Sequence, residues 1–357
     1  MTKNSKEFTF DKHSSQTIKG IAIIMMVFHH FFGFPKWIIY PNEYTSMGLT
    51  LGNAPIEVTI ALFFKICVGM YLFITGYGMY YFYKSNYILK RTLEKIFKFL
   101  LNYWIILFLI FIPIKIYFNK FNFNLEEILL NMFAYKTTYI TFAWYVRLYI
   151  ELMILFPLFV KIIKDKFIYA IIYSIFPFIL INIFIVEYSY EKISIFKYIY
   201  EFCNWAPIAL VGYNFAKFNI FRYMKKKLVE LNLDNIFIYN WICIIIFIAR
   251  TYKKSFGVFN LDIIYVPIFI YFIINIINSI NINKINKSFA FLSQHSLNIW
   301  FLHAMFFMGI YKIQQAGYFF KLPILIVSWV FIFLIPLSCI INVIVSKIWK
   351  KIKIAKL

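Results

Sequence analysis

Five histidines stand in a chain of 357 residues, and three of them, His29, His30 and His303, fall inside strongly apolar runs. An ionisable side chain at such a place is costly in lipid and marks a functional hypothesis. The first run reads Ile18-Lys19-Gly20-Ile21-Ala22-Ile23-Ile24-Met25-Met26-Val27-Phe28-His29-His30. Lys19 and His30 are eleven positions apart, which in a helix returns to within about 20° of the same face and climbs roughly 16 Å. A cation at the rim of a membrane with an imidazole three turns deeper suits a long anionic carrier that inserts its reactive end. Coenzyme A has that shape, with phosphates at one end and a thioester at the other. His29 points about 100° away from this stripe, and a hydrogen bond to a neighbouring helix accounts for it.

Other polar groups fall at comparable depth. His303 lies about 14 residues into an outward-running apolar segment, roughly 20 Å from its inner end. Lys65, Arg147 and Glu151 belong to the outer halves of their segments. Arg147 and Glu151 are four apart on one helix face and can pair. They and Lys65 either stabilise an oxyanion and hold a polar substrate, or only neutralise one another. Trp144 and Trp300 offer flat faces on which a sugar ring stacks, although aromatic residues also gather at membrane interfaces. His295 sits at the inner end of the segment that holds His303, where it either meets the coenzyme or caps a helix. Lys90 and Arg91 open a basic stretch that suits coenzyme phosphates or a solvated loop equally. Asn53 and Glu57 stand at the outer mouth of the second apolar run. Cys67, Cys203, Cys243 and Cys339 have no metal-ligand spacing and read as small core residues, so no metal site is expected.

The elements that must position these groups follow from composition. Apolar residues make up 62% of the chain and the mean hydropathy is +0.75. A soluble domain is nearer half apolar, so a soluble fold would have to hide too many Phe, Ile and Leu side chains. Continuous apolar runs, rather than alternating ones, imply helices in a bilayer. The expected fold is therefore all-α and polytopic, with about ten spans near 18–34, 56–83, 96–118, 142–162, 167–186, 198–216, 236–250, 258–281, 289–311 and 323–346. The seventh is short enough to be tilted or partly re-entrant. Residues 1–17 form a polar cytoplasmic segment with no cleavable-signal pattern, 18–346 the membrane domain and 347–357 a basic cytoplasmic tail. The net charge of +22 distributes as the positive-inside rule requires. With both termini inside, roughly 24 basic residues lie on the cytoplasmic side against about 11 outside, including Lys3, Lys6, Lys84, Lys164 and Lys356 among the former. Short basic inter-span loops do not make a nucleic-acid surface, so membrane lipid rather than nucleic acid is the expected partner.

In order and depth, these segments resemble the acyltransferase-3 family of multi-span membrane O-acyltransferases. Lys19-Gly20-Ile21-Ala22 through His30 resembles its Arg-Gly-Ile-Ala opening with a His eleven positions on. Phe63-Phe64 … Phe73-Ile74-Thr75-Gly76-Tyr77 resembles a Phe-Phe … Ser-Gly-Tyr stretch, followed by a basic run at Lys90-Arg91 … Lys98 and by Tyr103-Trp104. Trp144-Tyr145-Val146 with Pro157, and Ser296-Leu297-Asn298-Ile299-Trp300-Phe301-Leu302-His303, resemble two further family segments. Two departures stand out: Lys19 replaces the usual Arg, which loses the bidentate fork but keeps the charge, and Trp300 replaces the usual Tyr.

The resemblance implies transfer of an acyl group, usually acetyl, from cytoplasmic acetyl-CoA to a hydroxyl of a cell-surface or lipid-linked glycan at the cell membrane. His30 would act as base or acyl carrier with His303 and Glu151 in the catalytic group. Lys19, Lys90, Arg91 and His295 would hold the coenzyme, and Arg147, Lys65, Trp144 and Trp300 the acceptor. An alcohol is a poor nucleophile until a base removes its proton, and an imidazole serves near neutral pH; attack by His30 on the thioester is the other open route. Two rival readings carry the same intramembrane charges: a transporter or flippase of an envelope-glycan precursor, and a non-catalytic envelope assembly protein. Against the transporter stand the lack of an internal repeat and of Gly/Pro-broken span pairs in matching halves.

Overall fold

A computed structural model describes residues 10–39, 44–83, 88–162, 166–187, 194–280 and 283–354. Lys3, Lys6, Lys84, Lys164 and Lys356 of the expected inner basic set lie outside the described residues. The described chain is mainly helical, and its strands form two short antiparallel hairpins, Thr50–Leu51 with Ala54–Pro55 and Ser255–Phe256 with Phe259–Asn260.

Each expected span overlaps helix, but the eighth, 258–281, opens in the second hairpin and the ninth, 289–311, runs past Leu302 into the 3₁₀ segment His303–Phe307 and a short non-helical stretch. The helices are α1 (Lys12–Phe32), α2 (Ile56–Phe64), α3 (Ile66–Tyr83), α4 (Ile88–Ile106), α5 (Ile112–Tyr117), α6 (Leu125–Met132), α7 (Trp144–Ile162) and α8 (Phe167–Glu187). They continue as α9 (Ser194–Lys217), α10 (Ile220–Glu230), α11 (Ile236–Tyr252), α12 (Asp262–Ile280), α13 (Asn283–Leu302), α14 (Tyr311–Gly317) and α15 (Pro323–Ile354). The second expected span is two helical pieces meeting at Lys65, and a π-helical turn, Leu107–Phe111, joins α4 to α5. By length and apolarity, five stretches among the described residues can cross a membrane: Ile56–Tyr83, Leu89–Tyr117, Phe167–Glu187, Asp262–Ile280 and Pro323–Ile352. The apolar α11 is shorter, as expected of the seventh span. Large apolar side chains such as Ile168, Phe184, Phe237, Trp241 and Ile324 face outward. Water would penalise that arrangement and hydrocarbon favours it, so the protein is a membrane protein.

The chain divides into two compact units. The first comprises 1–22, 65–86 and 155–293. In it α9 packs against both α3 and α8. The approach to α3 depends on two glycines, because a Cβ added at Gly76 would strike the Ala209 carbonyl and one at Gly212 would strike that of Phe73. Small residues give close backbone approach where lipid supplies no hydrophobic drive between helices. Asn214 ties α9 to α8 by donating to Ser174 Oγ at 2.8 Å and to the Ala170 carbonyl at 3.3 Å. The second unit comprises 23–64, 87–154 and 294–357, with α15 packed on α4 and α14 lying against the 3₁₀ segment His303–Phe307.

Candidate active site

The second unit brings His30 and His303 together. His30 occupies the last turn of α1, and His303 opens the 3₁₀ segment that ends α13. His303 Nδ1 lies 3.0 Å from the Ile299 carbonyl oxygen one turn earlier. A carbonyl only accepts, so Nδ1 carries the hydrogen and Nε2 of the neutral ring bears the lone pair. His30 Nδ1 lies 2.7 Å from that Nε2 and is therefore the donor. The chain Ile299 O, His303, His30 thus runs in one direction and leaves His30 Nε2 as the basic nitrogen of the pair. His303 is wholly enclosed, whereas His30 is only partly buried. The enclosed ring orients, and the accessible ring is the one that can meet a substrate.

Aromatic rings fix this pair in place. Phe142 lies flat on His30, with centroids 3.8 Å apart and planes inclined by 9°, and also stacks with His303 at 5.3 Å. Phe34 and Trp37 stack on each other at 3.8 Å beside His30 and Phe142. Locked rings of this kind preserve a nitrogen's direction, which base or nucleophilic chemistry requires. His29 takes the structural place expected of it: Nδ1 donates to the Ala61 carbonyl at 2.6 Å and ties α1 to α2. A Cβ on Gly33 would collide with the His29 carbonyl and ring, so that residue stays small to let this imidazole lie back along its helix.

The remaining expected residues fall into separate places. On α7, Arg147 Nε approaches Glu151 Oε1 at 3.4 Å, with Arg147 buried and Glu151 a quarter exposed. Trp144 is half-buried at the start of that helix. Trp300 is buried edge-on to Tyr145 at 5.2 Å and against Phe301 at 4.5 Å, so its packing partners are protein rings. His295 Nδ1 lies 2.9 Å from Ser338 Oγ, and Asn298 donates to the carbonyl and hydroxyl of the same serine and to Asn342. This polar tie joins α13 to α15. Lys90 and Arg91 are exposed in the first turn of α4. Lys19 and Lys65 belong to the first unit. There Tyr71 donates its hydroxyl to the Lys19 carbonyl at 3.2 Å, and Lys65 lies within electrostatic reach of Arg250 and Asp262.

Two features had little or no signature in the sequence. Phe142, Phe34 and Trp37 are indistinguishable by type from the rest of a chain with 45 phenylalanines. Glu57 is wholly enclosed on the first turn of α2, and neither carboxylate oxygen has a hydrogen-bond partner among the described residues. Burial and the nearby Glu57 raise the Tyr44 phenol above its ordinary range.

Among described residues, no group of three or more His, Cys, Asp or Glu side chains gathers to hold a metal ion. Against known families, residues 13–345 match the family model described as an acyltransferase domain, Acyl_transf_3. No curated protein and no solved structure matches the chain.

Proposed function

The chain belongs to the acyltransferase-3 family, and from that premise we propose that it moves an acetyl group from cytoplasmic acetyl-CoA to a hydroxyl of a cell-surface or lipid-linked glycan. Membrane acyl transfer comes with the family; the acetyl group, its coenzyme donor, the glycan acceptor and a place in the cell membrane are our reading. The reading includes ten spans with both termini cytoplasmic. It is carried by one observation, the directed chain in which His303, anchored on Ile299, accepts from His30 and makes His30 Nε2 the basic atom.

In the direct route, Nε2 of His30 removes the acceptor hydroxyl proton as the oxygen attacks the thioester carbonyl. The C–O bond forms, the C–S bond breaks, and the leaving thiolate takes up the proton as coenzyme A. In the two-step route, Nε2 attacks the carbonyl itself and the C–S bond breaks to release thiolate; the glycan oxygen then displaces the imidazole, forming the C–O bond and breaking the C–N bond, and its hydroxyl proton passes to the thiolate to give coenzyme A. In both, His30 becomes cationic at one stage. Its Nδ1–H bond to His303 then strengthens, because a charge-assisted hydrogen bond is about twice as strong as a neutral one. In this reading Arg147 and Glu151 flank the acceptor.

The test is twofold. Purified protein with acetyl-CoA and acceptor should release coenzyme A, and cells carrying His30→Ala should lose the glycan ester. A transporter would release no coenzyme, and an ester pattern unchanged in the variant would overturn the assignment.

A further inference from the structure

A cavity of about 610 Å³ opens in the first unit, and Ile74 and Tyr77 of the Phe73–Tyr77 segment help to line it. Its walls come from the start of α1, the end of α3 and the turn between α9 and α10. The charge bias places all three of these span ends on the cytoplasmic side. The floor is aromatic. Phe10 meets Tyr77 edge-on at 4.8 Å and Phe221 at 5.3 Å, while Tyr77 and Phe221 lie nearly parallel at 6.1 Å. At the rim stand Lys12 and Arg222, both exposed. No ion pair engages Lys12 among the described residues. The acid beside them, Asp11, accepts the Ser14 backbone N–H at 2.8 Å as the cap of α1. The lysines of α10 are paired, Lys225 with Asp234 and Lys227 with Glu230. Gly78 lines the cavity as well, and a Cβ built there meets nothing within 4 Å, so the space begins directly at its backbone.

The chemistry of these walls is specific. Aromatic faces and edges take a flat heterocycle, and two rim cations take phosphates. The volume lies in the range of about 300–1,000 Å³ typical of sites for ligands of that size. Lys12 also stands seven residues before Lys19, two turns along α1 and within about 20° of the same face, so cations recur along one stripe of that helix. We propose that this cavity binds the adenine nucleotide end of the acyl donor, with the purine on the Phe10–Tyr77–Phe221 floor and its phosphates at Lys12 and Arg222. The proposal rests on the acyl-transfer reading for the identity of the nucleotide, and it assigns to the α1–α3–α9 ends a role that Lys90 and Arg91 were expected to fill.

The experiment uses full-length protein in nanodiscs, with adenosine 3′,5′-bisphosphate as the probe. It should bind, and it should compete with acetyl-CoA. A Cβ at Gly78 meets no atom within 4 Å, so Gly78→Phe starts its side chain in open space; it should weaken binding at least tenfold while leaving the melting temperature unchanged. Lys12→Ala should weaken it by a smaller factor that shrinks further in high salt. Acetyl-pantetheine, a donor without the nucleotide, should be turned over equally by wild type and Gly78→Phe. Unaltered nucleotide affinity in Gly78→Phe would overturn the site, as would a bisphosphate that leaves acetyl-CoA binding untouched. A wild type that binds the bisphosphate here but transfers from neither donor would keep the site and sink the acyltransferase mechanism.

Discussion

Two buried arginines, one in each unit, carry the same charge into apolar surroundings and are treated differently. Arg250, at the C-terminal end of α11, grips Asp262 at the start of α12 through Nε at 2.6 Å and Nη2 at 2.9 Å, with both side chains under 5% exposed. The backbone N–H of Asp262 is held in turn by Asn260 Oδ1 at 3.0 Å. Arg147 meets Glu151 through Nε at 3.4 Å, and that carboxylate is a quarter exposed. A bidentate, enclosed pair fixes two helix ends and the hairpin between them. A longer pair whose carboxylate is a quarter exposed leaves that carboxylate within reach of water and of a third group, which is what an acceptor-binding site needs. The ion pair that sequence spacing flagged is the longer and more exposed one. The tight one spans twelve positions and two helices, beyond any local pattern.

The contrast can be broken most forcefully at Arg250. Arg250→Ala leaves Asp262 charged and enclosed, which should cost about 3–5 kcal/mol and lower the melting temperature in nanodiscs sharply. Arg147→Ala should cost less than half of that, because Glu151 can rehydrate. Equal losses would show that both pairs are structural. The next effect is on turnover. Arg147→Gln and Glu151→Gln should each leave a folded protein whose transfer rate falls roughly 10²-fold, the scale of losing one preorganised polar contact to the reacting groups. Retained activity in both would assign this pair to charge neutralisation alone. A smaller effect is expected at His295: replacement by Ala removes one buried hydrogen bond to Ser338, worth about 1 kcal/mol, and should leave the rate per folded molecule unchanged. A raised KM for acetyl-CoA in that variant would return His295 to the coenzyme.

Legibility in the sequence followed the range of the interaction. Helices are local, and their apolar runs announced them, so each expected span overlaps helix; what hydropathy could not show was the interruption at Lys65, the π-helical turn at Leu107–Phe111, or the end of α13 in a 3₁₀ segment at His303. His30 and His303 stood out because imidazoles are rare in such runs, yet their 2.7 Å contact joins residues 273 positions apart and no single-chain pattern reports it. The stacking of Phe142 was invisible for the opposite reason, too many candidates of one type. Trp300 was legible as an aromatic at a family segment, but not the direction of its ring, which Tyr145 and Phe301 occupy. The Gly78 cavity left no signal either, since a void is made by what three distant segments leave unfilled.

The exposed limit of the ion-pair series supplies the smallest prediction. On α10, Lys227 Nζ lies 2.8 Å from Glu230 Oε2, closer than Arg147 lies to Glu151, with both partners open to solvent. The lysine hydrogen bond and charge hold the Glu230 carboxyl below its ordinary range, and the same contact raises the Lys227 ammonium. A carboxyl with a depressed folded pKa contributes stability present above its unfolded pKa and lost as pH falls through the folded value. A raised lysine contributes below its unfolded pKa and loses the contribution as pH rises through the folded one. Both contributions are therefore present at neutral pH, but water and salt screen a pair in the open. Glu230→Gln should leave the melting temperature unchanged within error at neutral pH, in low salt and in high. If distance alone set the worth of an ion pair, this variant would cost more than Arg147→Ala; if enclosure sets it, the order reverses, and the ranking of Arg250, Arg147 and Lys227 follows how much water each pair has given up.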